Sequence, residues 1–263
     1  MKIIFMGRKP GAVKALEFLL GTGAKVLGVV CRKDIESLHW RERLYDFALK
    51  NGLPVLDDAD LYSAVKGEMP LEIDISDVDV VISYLFWKRI KQPLIQLPKV
   101  GVINFHPAPL PDFRGVGGYN AAILEGLSYW GVSAHFIDEG FDTGDLIKVE
   151  RFEIDAGKHT AFSLEQLTQG YLLRLFKEVI SALLAGGRLS RRKQGEGRYI
   201  SKSEFENLRR ISEEDTPEAI DRKIRAFWYP PYPGAYIEKN GKKFLIANEF
   251  VLKEAGKFYH GAQ

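Results

Sequence analysis

The chain has a single cysteine, Cys31, in 263 residues. That excludes an intramolecular disulfide and fits a reducing compartment. Its five histidines show no clustered His/Cys spacing of the kind that holds zinc, so no metal is expected. No run approaches the ~18 uninterrupted apolar residues of a membrane span. The opening Met1-Lys-Ile-Ile-Phe5 lacks the long apolar segment of a signal peptide. Neither sign of charge dominates, since 37 Lys and Arg stand against 35 Asp and Glu for a net +2. Without a strong basic field, nucleic acid is not the expected partner. Repeats and low-complexity tracts are absent as well. What remains is the composition of an ordinary soluble chain, 46% hydrophobic and 27% charged, with no membrane partner and a cytoplasmic location expected. The length suits one large domain with a small appendage.

The apolar runs read as α/β. Lys2 to Met6 is a strand, Ala12 to Leu20 a helix stopped by Gly21 and Gly23, and Val26 to Cys31 the next strand. The turn between, Gly7-Arg-Lys-Pro-Gly11, is neither G-x-G-x-x-G nor a P-loop and gives no fingerprint for NAD or ATP. Arg8 and Lys9 either meet a phosphate at the helix start or are two solvated cations. A helix within 34–51 carries a core stripe of Trp40, Leu44, Phe47 and Ala48, followed by a short strand at Leu53–Leu56. Leu61 to Ser76 is weakly determined. Val78 to Ser83 is a buried strand running into Tyr84-Leu-Phe-Trp87, where a flat ligand could lie or the rings could simply pack.

Further on, Thr160 to Leu184 is a long helix with Leu164, Leu167, Tyr171, Leu172, Leu175, Val179 and Leu183 on its buried face, ended by Gly186-Gly187. Arg188 to Lys193 is a charged connector, read as solvated. Gly197 to Lys202 is a strand opening a small C-terminal region. Thr216 caps a helix to Phe227 with Pro217 at its first position. Ala235–Ile237 and Lys243–Ala247 form a hairpin across Asn240-Gly241, a type I′ turn.

The chemistry concentrates between Val100 and Val149. The apolar run Val100-Gly-Val-Ile103 ends in Asn104-Phe-His106, and a Pro- and Gly-rich loop follows. A second apolar segment, Gly131 to Ile137, leads into a polar turn with Asp138, Glu139 and Asp142. Two strands delivering polar groups at their ends are how an open α/β sheet builds a site. On a strand, Asn104 and His106 point to one face. The amide can hydrogen-bond an oxyanion in acyl transfer, the imidazole can pass protons at neutral pH, and Asp142 can orient it. Singly, each is better explained as a turn cap or a structural residue; together, on this scaffold, they are not. No Ser or Cys stands beside them as a nucleophile, so an acyl group would pass directly to an external acceptor such as an amine.

Asn104-x-His106-Pro107, Leu110-Pro111, Arg114-Gly115, Gly131-Val-Ser133 and Asp142-Thr-Gly144 together resemble the formyltransferases that use N10-formyltetrahydrofolate. That family includes methionyl-tRNA, glycinamide ribonucleotide and sugar-nucleotide formyltransferases. The resemblance covers roughly residues 1–240. It implies a Rossmann-like formyltransferase fold, α/β with a central mostly parallel sheet, plus a small C-terminal α+β region. Residues 1–190 would form the catalytic domain and 191–263 a small C-terminal subdomain. It also implies that Asn104, His106 and Asp142 are catalytic. N10-formyltetrahydrofolate would be the co-substrate, held by Leu85, Phe86, Trp87, Ile90, Asp138, Glu139, Gly140 and Phe141.

Ala108-Pro-Leu-Pro111 stands where the tRNA enzymes have Ser-Leu-Leu-Pro, a variant more like the sugar-modifying branch. The 29 residues after Gly234 are too few for the five-stranded barrel with which the tRNA enzymes grip their substrate. The phosphate loop of the glycinamide ribonucleotide branch is missing at Gly7–Gly11. The resemblance therefore implies a nucleotide-linked amino sugar as acceptor and a homodimer. Arg8, Lys9, Pro107, Arg114, Gly115, Tyr119, Tyr229 and Tyr232 are the candidates for acceptor contact, the tyrosines by stacking, against a stronger prior that each is simply packed. A methionyl-tRNA formyltransferase-like enzyme and a non-catalytic folate or nucleotide binder are the alternatives.

Overall fold

Strand β1 (Lys2–Gly7) is buried over five of its six residues, as a strand covered on both faces must be. Ile3 and Phe5 point into one hydrophobic cluster while Ile4 and Met6 point into another, the period-two alternation of a pleated strand. The computed structural model describes residues 1–33 and 42–260. In chain order β1 is followed by α1 (Lys9–Gly21), β2 (Lys25–Val30), α2 (Leu44–Lys50), β3 (Val55–Leu56), α3 (Asp58–Val65) and β4 (Val80–Tyr84). Then come β5 (Gly101–His106), β6 (Phe113–Gly115), α4 (Gly118–Leu124), β7 (Tyr129–Phe136), β8 (Leu146–Glu153) and α5 (Ala161–Leu184). The chain continues through β9 (Arg198–Ile200), α6 (Lys202–Leu208), α7 (Pro217–Ala226), β10 (Tyr236–Lys239), β11 (Lys242–Leu245) and α8 (Glu249–His260).

The main sheet has seven strands in the order β3-β2-β1-β4-β5-β7-β8. The first five are parallel; β7 and β8 are added antiparallel. The expected central mostly parallel sheet is present. Winding reverses direction between β1 and β4, and the crevice at the carboxyl ends of such a pair is where open α/β sheets bind ligands. Gly7 and Tyr84 end the two strands there and pair with each other.

Helices α1 and α5 cover one face with Ala12, Leu16, Leu172 and Phe176, all fully buried. Thr160 caps α5 in a reciprocal box with Ser163. The sequence placed Leu167 on the buried face, but it is 38% exposed, and Glu165 and Thr168 are buried instead, at 7% and 0%. The amino-terminal half of α5 turns a polar side inward, because it faces a cavity described below. Leu44 and Ala48 are buried as expected, Phe47 packs against the same cluster, and Trp40 lies outside the described residues.

Other elements were not legible. The stretch left weakly determined begins with α3, whose start Asp57 caps by accepting from Ala59 N at 2.8 Å. Strand β8 and helices α4, α6 and α8 were not anticipated. The connector read as solvated is docked: Arg192 pairs with Leu146, and Arg191 donates to Val100 O at 2.8 Å with its guanidinium 3.5 Å over the Phe136 ring. At the far end, Thr216 accepts from Ala219 N at 3.2 Å with Pro217 behind it. Asn240 and Gly241 both adopt left-handed backbone, at φ 51° and 71°, as a type I′ hairpin requires. From the C-terminal segment, Ile200, Ile224, Phe227 and Val251 share one hydrophobic cluster with Ala122, Trp130 and Leu164. Among the described residues no helix is long and apolar enough to cross a membrane.

Candidate active site

Strand β5 delivers Asn104 and His106 to the same face, and its neighbours fix both. Asn104 pairs with Ser83 on β4 and with His135 on β7. Its Oδ1 accepts from Ser83 Oγ at 2.8 Å, which directs the NH2 group the other way. Nδ2 then lies 3.0 Å from His135 Nε2 and 3.4 Å from Asp142 Oδ1. His135 Nδ1 donates to the Phe136 carbonyl at 2.8 Å, which leaves Nε2 to accept from the amide. His106 Nε2 donates to Phe113 O at 3.0 Å. That leaves Nδ1 of His106 facing Asp142 Oδ2 at 3.6 Å.

Asp142 arrives by a chain reversal. Because β7 is antiparallel to β5, its carboxyl end lies beside Ile103, away from His106, so the two strands do not end together as the sequence suggested. The 137–145 segment instead folds back, with Phe136 N donating to Asp145 O at 2.9 Å. Gly144 is required at this reversal: a Cβ there would stand 1.9 Å from Phe136 O. Asp142 itself sits at φ 52°, a left-handed conformation that Asp adopts more readily than most residues. Gln194, just past the docked connector, clamps the loop by donating to Asp142 O at 2.9 Å and Gly144 O at 2.6 Å. Gly115 N donates to Asp142 Oδ2 at 2.9 Å.

Burial alone would raise the Asp142 carboxyl, but the facing His106 and His135 rings and the Gly115 amide overcome it and hold the group well below the usual carboxylate range. Burial pushes the His106 imidazole below its ordinary value; Asp142 opposes that and His135 adds to it. The resting trio is therefore an amide, a neutral imidazole and a carboxylate.

These groups open into a cleft of about 370 Å³ at the switch point. Leu85, Phe86, Trp87 and Ile90 line one side; Asp138, Gly140 and Phe141 line the other. Glu139 is exposed and is not among the lining residues. Phe86 and Trp87 also pack on each other at 4.4 Å between centroids. The acceptor candidates divide among three spaces. Arg8, Lys9, Pro107 and Gly115 line the main cleft. Arg114 and Tyr119 line a chamber of about 80 Å³ behind His106, with Arg114 donating to Gly195 O at 2.7 Å. Tyr229 and Tyr232 line a separate cavity of about 460 Å³ that shares Lys9 with the cleft. Lys9 is not a solvated cation: it pairs with the buried Glu165 and reaches Tyr229 OH at 2.8 Å.

Ser83, His135 and Gln194 belong to the site and were not singled out in the sequence. A histidine inside the apolar run Gly131–Ile137 was the available signal for His135. Nothing local pointed to Gln194.

Residues 4–180 match the family model described as formyl transferase. A methionyl-tRNA formyltransferase of Syntrophomonas wolfei is 29% identical over 97% of this chain and 81% of its own length. A GDP-perosamine N-formyltransferase of Brucella melitensis is 35% identical over 65% of this chain and 64% of its own. Among solved structures, an N-formyltransferase of Helicobacter canadensis in complex with folinic acid and dTDP-3-aminofucose superposes with a TM-score of 0.71, at 25% identity over 92% of this chain and 86% of that one.

Proposed function

The chain belongs to the formyl transferase family, and from that premise we propose that it moves the formyl group of N10-formyltetrahydrofolate to the amine of a nucleotide-linked amino sugar. The observation that carries this reading is the convergence of Asn104, His106 and Asp142 on one cleft. The sugar acceptor is further supported by the likeness to the Brucella and Helicobacter proteins.

The cleft suits a flat folate head, because Leu85, Phe86, Trp87 and Ile90 wall one side, Phe141 stands on the other, and the polar trio lines the same space. The donor supplies an activated formyl carbonyl. The chain's own groups supply the rest. Asn104 has one N–H tied to His135 and a second in only a long contact with Asp142. That second N–H turns to meet negative charge developing on the formyl oxygen, an interaction worth a few kcal/mol when well aimed. As the amine nitrogen bonds to the formyl carbon, His106 takes the amine proton on Nδ1, the nitrogen left free by its Nε2 bond to Phe113, and the carbon–N10 bond breaks as that proton passes to the departing folate nitrogen. Asp142, ionised throughout, stabilises the imidazolium so formed.

The test supplies 10-formyltetrahydrofolate with a panel of nucleotide-linked amino sugars and follows acceptor mass. Gain of one formyl group on a member of the panel is the expected result. Formylation of methionyl-tRNA is the second reading, favoured by relatives that match nearly the whole chain. Turnover of charged initiator tRNA with steep salt dependence, and of no amino sugar, establishes it instead.

A further inference from the structure

Resting on the nucleotide-linked acceptor proposed above, we propose that the cavity on the far side of Lys9 seats the acceptor's nucleobase and that Gln169 reads the hydrogen-bonding edge of that base. The cavity, about 460 Å³, lies between the start of α1, the amino-terminal half of α5 and the 229–232 loop. Its wall toward the catalytic cleft is rigid, because Lys9 is fixed by both Glu165 and Tyr229.

Gln169 lines this cavity, and neither its Oε1 nor its Nε2 has a hydrogen-bond partner although both atoms are shielded from water. Unpaired buried amides are rare because leaving them unpaired costs free energy. Gly11 makes room for this one: a Cβ at that position would stand 2.4 Å from Gln169 Oε1. A carboxamide sets one donor beside one acceptor in a plane. The edge of a nucleobase offers the complementary pair, also in a plane, and a rotation of the terminal amide brings the two together.

The remaining walls fit a flat ring joined to an anion. Tyr232 stands at the mouth, 54% exposed, with its ring 5.7 Å from that of Tyr229, which offers an aromatic face for stacking. Arg8 lines the catalytic cleft and donates to Tyr232 OH at 3.3 Å. It thereby places a cation between the trio and the base pocket, where the diphosphate joining sugar to nucleoside would run.

Calorimetric titration of the full chain with TDP, UDP, GDP, ADP and inorganic pyrophosphate, and separately with 5-formyltetrahydrofolate, tests this. At least one nucleoside diphosphate should bind about tenfold or more tighter than pyrophosphate. Gln169→Leu should bring that nucleotide down to the level of pyrophosphate, Tyr232→Ala should weaken it several-fold, and both variants should bind the folate as the parent chain does. Nucleotide affinity no better than that of pyrophosphate, or unchanged by Gln169→Leu, overturns the pocket. Equal turnover of an amino sugar with and without its nucleotide also overturns it, while leaving formyl transfer to amino sugars intact. Gln169-dependent nucleotide binding in a chain that formylates no amino sugar upholds the pocket and removes the acceptor reading.

Discussion

Asn104 and His135 face each other across the β5–β7 ladder, with Asn104 Nδ2 3.0 Å from His135 Nε2. Since His135 Nδ1 donates to the Phe136 carbonyl, its Nε2 is left to accept from the amide. Ser83 holds the other end of the same amide. The second N–H of the amide has only a long partner, Asp142 Oδ1 at 3.4 Å.

In the proposed mechanism His135 acts through Asn104. Asn104→Ala should lower kcat about 10²–10³-fold, the loss seen when one oxyanion donor is removed. His135→Ala should cost about tenfold, with little change in affinity for the folate. The double variant should be no slower than Asn104→Ala alone, because the two side chains work as one unit. Multiplicative losses in the double variant would show that His135 acts independently.

Acid should destabilise the fold in two steps. The His106 pKa is lowered in the folded state, so the unfolded chain binds the proton first and stability falls as pH drops below about 6.5. The Asp142 pKa is lowered too. Its contribution is complete above the ordinary carboxylate value of about 3.9 and declines as pH falls below that. Thermal unfolding followed from pH 8 to pH 3 should show both steps. His106→Asn should shrink the upper one, to which the half-buried His159 also contributes, and Asp142→Asn should shrink the lower, which Asp77 and Asp215 share. An unchanged profile in either variant contradicts the assignment.

Gly144→Ala should be severe for a single methyl group. The added Cβ meets Phe136 O, a backbone atom that cannot move aside without opening the reversal. A loss of roughly 2–4 kcal/mol is expected, and kcat should fall with it, because Asp142 rides on the same loop. Denaturant unfolding and steady-state rates measured together check this. Full activity in the variant would mean that the reversal does not place the carboxylate.

Residues that act together through local geometry were legible, and those joined by topology were not. Asn104 and His106 are two apart on a strand, so their shared face follows from period two alone. The Asn240-Gly241 hairpin and the Thr216 cap are likewise local. His135 enters the site only through the antiparallel register of β7 against β5, which no local pattern specifies. Gln194 is more remote still, just past a cationic segment whose charges suggested solvent; its amide reaches a loop 50 residues away. Leu167 failed for the opposite reason. Apolar periodicity assigned it to the core, while the inward side of α5 at that level carries Glu165, which lines the cavity, and Thr168, whose hydroxyl bonds Leu164 O.

Glu165 gives the last prediction. Its carboxylate is nearly buried and is held by Lys9 and by Tyr229 OH, and Lys9 carries a strained φ of 69°. Removing one member of a buried pair leaves the other charge uncompensated, which is worse than removing both. Lys9 keeps 22% of its side-chain surface, so solvent softens the penalty. Lys9→Met should then cost about 1–3 kcal/mol, below the range for a wholly buried pair. Glu165→Gln in the Lys9→Met background should recover most of that loss, since a neutral amide can still bond Tyr229. A double-mutant cycle by denaturant unfolding measures the coupling. Simple addition of the two single losses would mean that Lys9 and Glu165 do not depend on each other, and that the wall between the two cavities is held by packing alone.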